Sequence, residues 1–224
     1  MQGKAKLLRV NEIFLSIKGE GVWEGNPMWF VRGAQCNLRC NHCDTAFNSP
    51  VMSMTVEQIV LRLDLKHKIV VLTGGEFTLQ DLGPLTTALH DQGYRIHLES
   101  NGTMPIRGSM DWICISPKLN EQGGIPLEEN IALADEIKMP ICKPSDLEQA
   151  EEFRAKAKTK KDVVWLLHPW NDLFEVTQFA VKLGPGARDM TGFNATLNAI
   201  CVEYILRTAG WRISTQLHKL LGVR

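Results

Sequence analysis

Net charge, long apolar runs and cysteine are all scarce in this 224-residue sequence. Its 25 lysines and arginines balance 25 aspartates and glutamates, so no global field draws it to nucleic acid or anionic lipid, and an anionic ligand must be held by local groups. Uninterrupted apolar runs such as Ile69–Leu72 and Val163–Leu167 are strand-sized, far short of the roughly 20 residues of a membrane span. The first ten residues carry Lys4, Lys6 and Arg9 but no apolar core of a secretory signal, so a cytoplasmic protein is expected. Six cysteines are too few for a disulfide scaffold. The 18 glycines and 10 prolines are too few and too scattered for low complexity, and 44% apolar with 22% charged residues is a globular composition.

What is present is a rhythm. Short apolar, β-branched runs recur at Trp29–Val31, Lys68–Leu72, Tyr94–Leu98, Trp112–Ile115, Glu136–Ile141, Val163–Leu167 and Arg212–Thr215, each the length of a buried strand. Helix-like segments lie between them. Thr55 with Gln58, and Ser145 with Glu148, read as capping boxes. Asp81–Gln92 and Asn194–Thr208 read as helices closed by Gly93 and Gly210, and the lysine-rich stretch Ala155–Asp162 as the solvated end of another. Alternation of this kind predicts parallel strands joined by helical crossovers, an α/β fold with an incomplete TIM-like barrel of about six parallel strands. No repeat or boundary divides the chain, so residues 1–224 are expected to form one domain.

The cysteines are unevenly spread. Cys114, Cys142 and Cys201 stand alone within apolar stretches and read as small core residues. Cys36, Cys40 and Cys43 crowd into one loop just after the strand that ends near Arg32. Three thiolates so placed suit three irons of a 4Fe-4S cluster, with the fourth iron open to an outside ligand. A tetrahedral zinc held by the three cysteines and His42 fits the same spacing. At the end of the next strand, Thr73-Gly74-Gly75-Glu76 offers close backbone approach and a carboxylate suited to an ammonium group. Further along, Ser116-Pro117-Lys118 adds a hydroxyl and a cation at another strand end.

The C-x3-C-x2-C loop, followed by the Gly-Gly-Glu turn, resembles the radical S-adenosylmethionine superfamily. Within it the chain is similar to the 7-carboxy-7-deazaguanine synthase family. The likeness is carried by Asn11-Glu12-Ile13-Phe14 leading to Gly19-Glu20-Gly21, by Phe30-Val31-Arg32, by Cys43-Asp44-Thr45, by Glu99-Ser100-Asn101-Gly102-Thr103 and by Ser214-Thr215-Gln216-Leu217-His218-Lys219. It implies a lyase that converts 6-carboxy-5,6,7,8-tetrahydropterin to 7-carboxy-7-deazaguanine and ammonia by radical ring contraction, in the biosynthesis of queuosine-type 7-deazaguanines. A 4Fe-4S cluster, S-adenosylmethionine and Mg2+ are implied as cofactors. A reduced cluster would cleave S-adenosylmethionine to a 5'-deoxyadenosyl radical that takes a hydrogen from the substrate. A flavodoxin or ferredoxin as electron donor and a homodimer are implied as well, with no direct contact to nucleic acid.

Carried over by position, Cys36, Cys40 and Cys43 would hold the cluster and Thr45 the Mg2+ ion, a hard cation suited to an oxygen ligand. His42, Cys43, Asp44, Gly74, Gly75, Glu76, Ser100, Ser116, Pro117, Lys118 and His168 fall where the family contacts S-adenosylmethionine. Ile17, Lys18, Gly19, Glu20, Arg32, Thr73, His218 and Arg224 fall where it contacts the pterin. Glu20 suits a guanine-like N–H edge and Arg32 a carboxylate. Three positions depart from the family's usual residues: Lys18 stands where it has glutamine, Phe77 where it has proline, and His168 where it has glutamine. A glycyl-radical-activating enzyme and a zinc-stabilised binding protein remain as alternatives at this stage.

Overall fold

The structure, a computed structural model, describes residues 7–41, 43, 50–171 and 194–223. In chain order its elements are β1 (Leu8–Ile17), β2 (Pro27–Gly33), β3 (Met52–Met54), α1 (Val56–Val60), β4 (Ile69–Gly74), α2 (Gly83–Asp91), β5 (Arg95–Ser100) and β6 (Trp112–Ile115). Then come α3 (Glu128–Leu133), β7 (Glu136–Ile141), α4 (Asp146–Lys156), β8 (Val164–Pro169), α5 (Ala195–Arg207), β9 (Trp211–Ile213) and α6 (Leu217–Leu221). Among the described residues the strands form one nine-stranded sheet in the order β3-β1-β2-β4-β5-β6-β7-β8-β9. From β2 to β9 all neighbours run parallel, while β1 is antiparallel to β2 and β3. The sheet does not close, so the architecture is the expected partial barrel.

Seven strands run parallel where about six were expected, and every strand-sized run of the sequence is one of them. The two additions, β1 and β3, are the antiparallel pair. The alternation of β1 is broken by a bulge between Val10 and Glu12, which hides its period from a sequence reading. The β5–β6 connection carries no helix: Gly102 and Gly108 both sit at positive φ, and Ile106 and Met110 cover the sheet there instead.

Of the two capping boxes expected from the sequence, one forms. Thr55 and Gln58 form the expected reciprocal cap on α1, at 3.3 Å and 2.9 Å. Asn194 Oδ1 accepts from Leu197 N at 2.9 Å, and Gly93 and Gly210 terminate their segments at positive φ. The capping box at Ser145 does not form; Ser145 is already in αR conformation and makes no side-chain cap. Buried Asp146, the first residue of α4, instead ties the preceding turn, accepting from Cys142 N at 2.8 Å and Lys143 N at 3.0 Å. Helix α4 also ends at Lys156, so most of the lysine-rich stretch lies beyond it.

Apolar burial is concentrated between the outer face of the sheet and the helices. One cluster joins Val70, Leu72, Ile96 and Leu98 to Leu85 and Leu89 of α2. A second joins Ile113, Ile115, Ile137, Ile141, Trp165 and Leu167 to Leu147, Ala150, Leu197 and Cys201. Because strand side chains alternate, the residues between these turn to the concave side. There Phe14, Met28, Phe30 and Val71 make a smaller cluster, and polar residues occupy much of the rest. No described helix is long and apolar enough to cross a membrane.

Candidate active site

Parallel strands deliver the residues that follow them to one end of the sheet, and there the structure has a cavity of about 650 Å3. Its first wall is the loop after β2. Cys36 and Cys40 are half-buried, Cys43 is exposed, none is in a disulfide, and all three line the cavity. Burial, the largest influence on each, pushes the Cys36 and Cys40 thiols up, and the nearby Cys43 raises both further. A bound metal would reverse this, since thiolates are the ligands it takes.

The glycine turn after β4 seats that loop. Gly75 N donates to Gly33 O at 3.2 Å and Glu76 N to Gln35 O at 2.6 Å. A Cβ on Gly75 would lie 2.2 Å from Gln35 O, and one on Gly74, at φ +106°, 2.5 Å from Gly33 N. Only glycines let the two backbones touch in this way. Both glycines line the cavity, but Glu76 does not. Its buried carboxylate accepts from Thr78 N at 3.2 Å, Thr78 Oγ1 at 2.6 Å, Ser100 Oγ at 2.9 Å and Asn101 N at 2.7 Å. The carboxylate expected to meet an ammonium group ties the ends of β4 and β5 together. Asn101 in turn donates to Asn37 Oδ1 at 3.2 Å, bracing the cysteine loop from the other side.

Ser100, Ser116, Pro117 and Lys118 complete this wall. Lys118 Nζ donates to the Ser116 hydroxyl at 2.6 Å, and burial, followed by the charge of Lys138, lowers its pKa. His42, Asp44, Thr45 and Arg224 lie outside the described residues.

The opposite wall comes from the β1–β2 turn, β7, β8 and the C-terminal segment. Ile17, Lys18, Gly19, Glu20, Arg32, Thr73, His168 and His218 all line the cavity. Gly19 is pinned beneath α6: Leu217 N donates to its carbonyl at 2.9 Å, and a Cβ there would collide with the His218 ring. Gly21, at φ +80°, leaves room for the Glu136 carboxylate, which accepts from Val22 N at 2.9 Å. Arg32 pairs with Glu12 at 2.9 Å and lies over the Phe14 ring.

Two residues missed by the sequence reading join these into a charge chain. Lys138 Nζ reaches Glu20 Oε2 at 2.6 Å and Glu99 Oε2 at 3.0 Å, and Glu99 Oε1 accepts a short hydrogen bond from Lys18 Nζ. Burial works against every charge here, yet the Glu20 and Glu99 carboxylates are held below the usual range, chiefly by Lys138, while both carboxylates hold Lys138 above its own. His168 closes the chain, its Nε2 3.6 Å from Glu20 Oε1. Lys138 is a charge inside the apolar run Glu136–Ile141, and a buried charge demands a partner, but which partner it finds is set by the tertiary fold.

This combination of an open parallel sheet, a free cysteine triplet and a glycine turn at the strand ends defines a radical S-adenosylmethionine enzyme. Residues 30–116 match the Radical SAM superfamily. The chain is 32% identical over 219 residues to the 7-carboxy-7-deazaguanine synthase of Synechocystis sp., covering 96% of this chain and 93% of that one. It is 30% identical over 223 residues to that of Flavobacterium psychrophilum, covering 98% and 94%. The crystal structure of QueE from Escherichia coli superposes with a TM-score of 0.75 at 25% identity, covering 95% of both chains. The chain belongs to the 7-carboxy-7-deazaguanine synthase family. Its cofactors are therefore a 4Fe-4S cluster and S-adenosylmethionine, and it acts on a small molecule with an electron from a reductant. Relatives of nearly its full length leave no ground for the zinc-binding and glycyl-radical-activating alternatives.

Proposed function

We propose that the chain, as one domain, converts 6-carboxy-5,6,7,8-tetrahydropterin to 7-carboxy-7-deazaguanine and ammonia, in the cytoplasmic synthesis of queuosine-type bases. The supporting observation is that one cavity carries both halves of the chemistry: the cysteine and glycine wall on one side, and the chain Lys18-Glu99-Lys138-Glu20 on the other. The cysteine triplet fits a cluster, being free of disulfides and open to the cavity. Cys36, Cys40 and Cys43 would hold it, and when bound and reduced it supplies the electron that cleaves S-adenosylmethionine.

The protein's own residues position the partners. Gly74 and Gly75 would present backbone groups to the methionine amino end, while Ser116 and Lys118 would serve the carboxylate and ribose. Glu76 and Asn101 act behind them by fixing the two loops. On the opposite wall Glu20 would take N–H groups of the pterin, and Arg32 or His218 its anionic end. That division explains how a chain of zero net charge holds an anion. Thr45 would supply an oxygen to Mg2+, His42 and Asp44 further contacts to S-adenosylmethionine, and Arg224 one to the pterin. A homodimer and a flavodoxin or ferredoxin donor complete the reading.

Anaerobic reconstitution with iron and sulfide, then incubation with S-adenosylmethionine, Mg2+, dithionite and the tetrahydropterin, tests it by mass spectrometry. The expected product is 7-carboxy-7-deazaguanine. Formation of 5'-deoxyadenosine without it would reject the substrate and keep the radical chemistry.

A further inference from the structure

The cysteine loop carries a hydrogen bond aimed at a sulfur: Leu38 N donates to Cys36 Sγ at 3.4 Å. The peptide that makes it is held from both sides. On one side the Leu38 side chain is buried, its Cδ2 4.0 Å from where a Cβ on Gly123 would stand. On the other, Asn37 is clasped in a closed ring of three side chains. Its Nδ2 donates to Thr103 Oγ1 at 2.8 Å, Thr103 Oγ1 donates to Asn101 Oδ1 at 2.7 Å, and Asn101 Nδ2 donates back to Asn37 Oδ1 at 3.2 Å. Each member gives one hydrogen to the ring and accepts one, so the three bonds run the same way round and polarise one another.

The far half of the ring is built into the end of β5. Thr103 N also donates to Asn101 Oδ1 at 2.9 Å, and Asn101 N donates to Glu76 Oε2 at 2.7 Å. Buried Asn130 donates from Nδ2 to the carbonyls of Gly102 at 2.7 Å and Met104 at 2.8 Å. Asn37 is therefore anchored to a frame outside its own loop. Asn37 and Thr103 are not among the residues that line the cavity.

We infer that the Asn37–Thr103–Asn101 ring positions the Leu38 amide on Cys36 Sγ and thereby raises the reduction potential of the cluster that this loop binds. A reduced cluster carries one more negative charge than an oxidised one, and a donor to a ligating sulfur stabilises that added charge. Asn37 and Thr103 are positioning residues. The inference rests on the reading that Cys36 holds the cluster, and goes beyond it by giving Thr103, on the loop after β5, control over how readily the enzyme accepts its electron.

Thr103→Val keeps the shape of the side chain, removes the hydroxyl that links the other two members, and leaves the cysteine loop's own sequence unaltered. The reconstituted holoenzyme is followed in a redox titration by electron paramagnetic resonance, without S-adenosylmethionine. In the Val variant the ratio of reduced to oxidised cluster at a fixed potential should fall about fivefold, the scale of one hydrogen bond, or ~40 mV for a one-electron couple. Thr103→Ser retains the hydroxyl and should restore the wild-type potential. The titration reads only chains that hold a cluster, so partial loss of iron does not hide the shift. Should the Val variant form no cluster, hydrogen exchange at the Leu38 amide of the cluster-free proteins decides, with exchange expected to be faster in Val than in Ser. Equal potentials in wild type and Val variant, or equal Leu38 exchange in the cluster-free proteins, would overturn the inference and leave the enzyme's function intact. Full iron content in Cys36→Ala would instead reject Cys36 as a ligand, and this inference with it.

Discussion

On β5, Ile96 and Leu98 face α2 and the apolar layer, while His97 and Glu99 face the concave side. On β7, Ile137 and Ile141 pack in the other apolar cluster, while Glu136 and Lys138 turn inward. The inner face is itself layered. Low in the sheet His97 packs edge-on to Trp23 and tilted against Trp112, with centroids 4.9 Å and 6.3 Å away; two residues higher, Glu99 pairs with two lysines. The outer face is held by dispersion and hydrophobic transfer, which tolerate exchange of one apolar side chain for another. Charges hold the inner face, where removing one partner exposes the desolvation cost of the others. One strand thus carries a forgiving surface and an unforgiving one, and the unforgiving one is the site.

The largest break in that contrast is Lys138→Met. It leaves the buried Glu20 and Glu99 carboxylates with Lys18 as their remaining lysine, and stability should fall by about 3–5 kcal/mol, read from denaturant midpoints, with turnover lost. Acid should break the aromatic layer next. The His97 pKa is lowered from 6.5 to about 4, first by burial, and both ring nitrogens lack a hydrogen-bond partner. The unfolded chain takes up a proton below pH 6.5 that the folded one refuses, so stability present at neutral pH drains away as pH falls from 6.5 to about 4. Through His97 the loss is at most about 3 kcal/mol, and in His97→Leu that part of the pH slope should vanish. The depressed Glu20 and Glu99 add losses in the same direction, at lower pH.

Glu76→Gln sharpens the comparison from a third side. Glu76 is a buried charge held by four N–H and O–H groups, with no lysine in its hydrogen-bonding set. Replacing one acceptor by an amide donor sets it against those donors, at a cost of about 1–3 kcal/mol. The accompanying loss of iron per chain would show that the turn carries the cysteine loop.

The sequence made one face of the sheet easy to read and the other hard. Every parallel strand showed as an apolar run, because residues such as Val70, Leu72, Ile113 and Ile115 are buried whatever the function. The cysteine and glycine wall was legible because it is local: contacts such as Gly75 against Gln35 join two short loops, each visible as a motif. The charge chain was not, since Lys18, Glu99 and Lys138 come from three elements and meet only once the sheet curves. Glu76 is legible by its motif, but the partners of its side chain are a tertiary fact, set by Ser100 and Asn101 across the next strand.

The smallest effect completes the contrast on a single strand. Ile137 is wholly buried and precedes Lys138 directly, so the two share a backbone and a depth but not a face. Ile137→Val removes one methylene from the helix-facing layer and should cost about 0.5–1.5 kcal/mol, with KM and kcat near the wild-type values because no atom of the charge chain moves. Turnover falling as steeply as in Lys138→Met would mean that the sheet transmits packing changes to the cavity. The division of labour between the faces would then be wrong, and the rigidity of the whole sheet would set the geometry of the site.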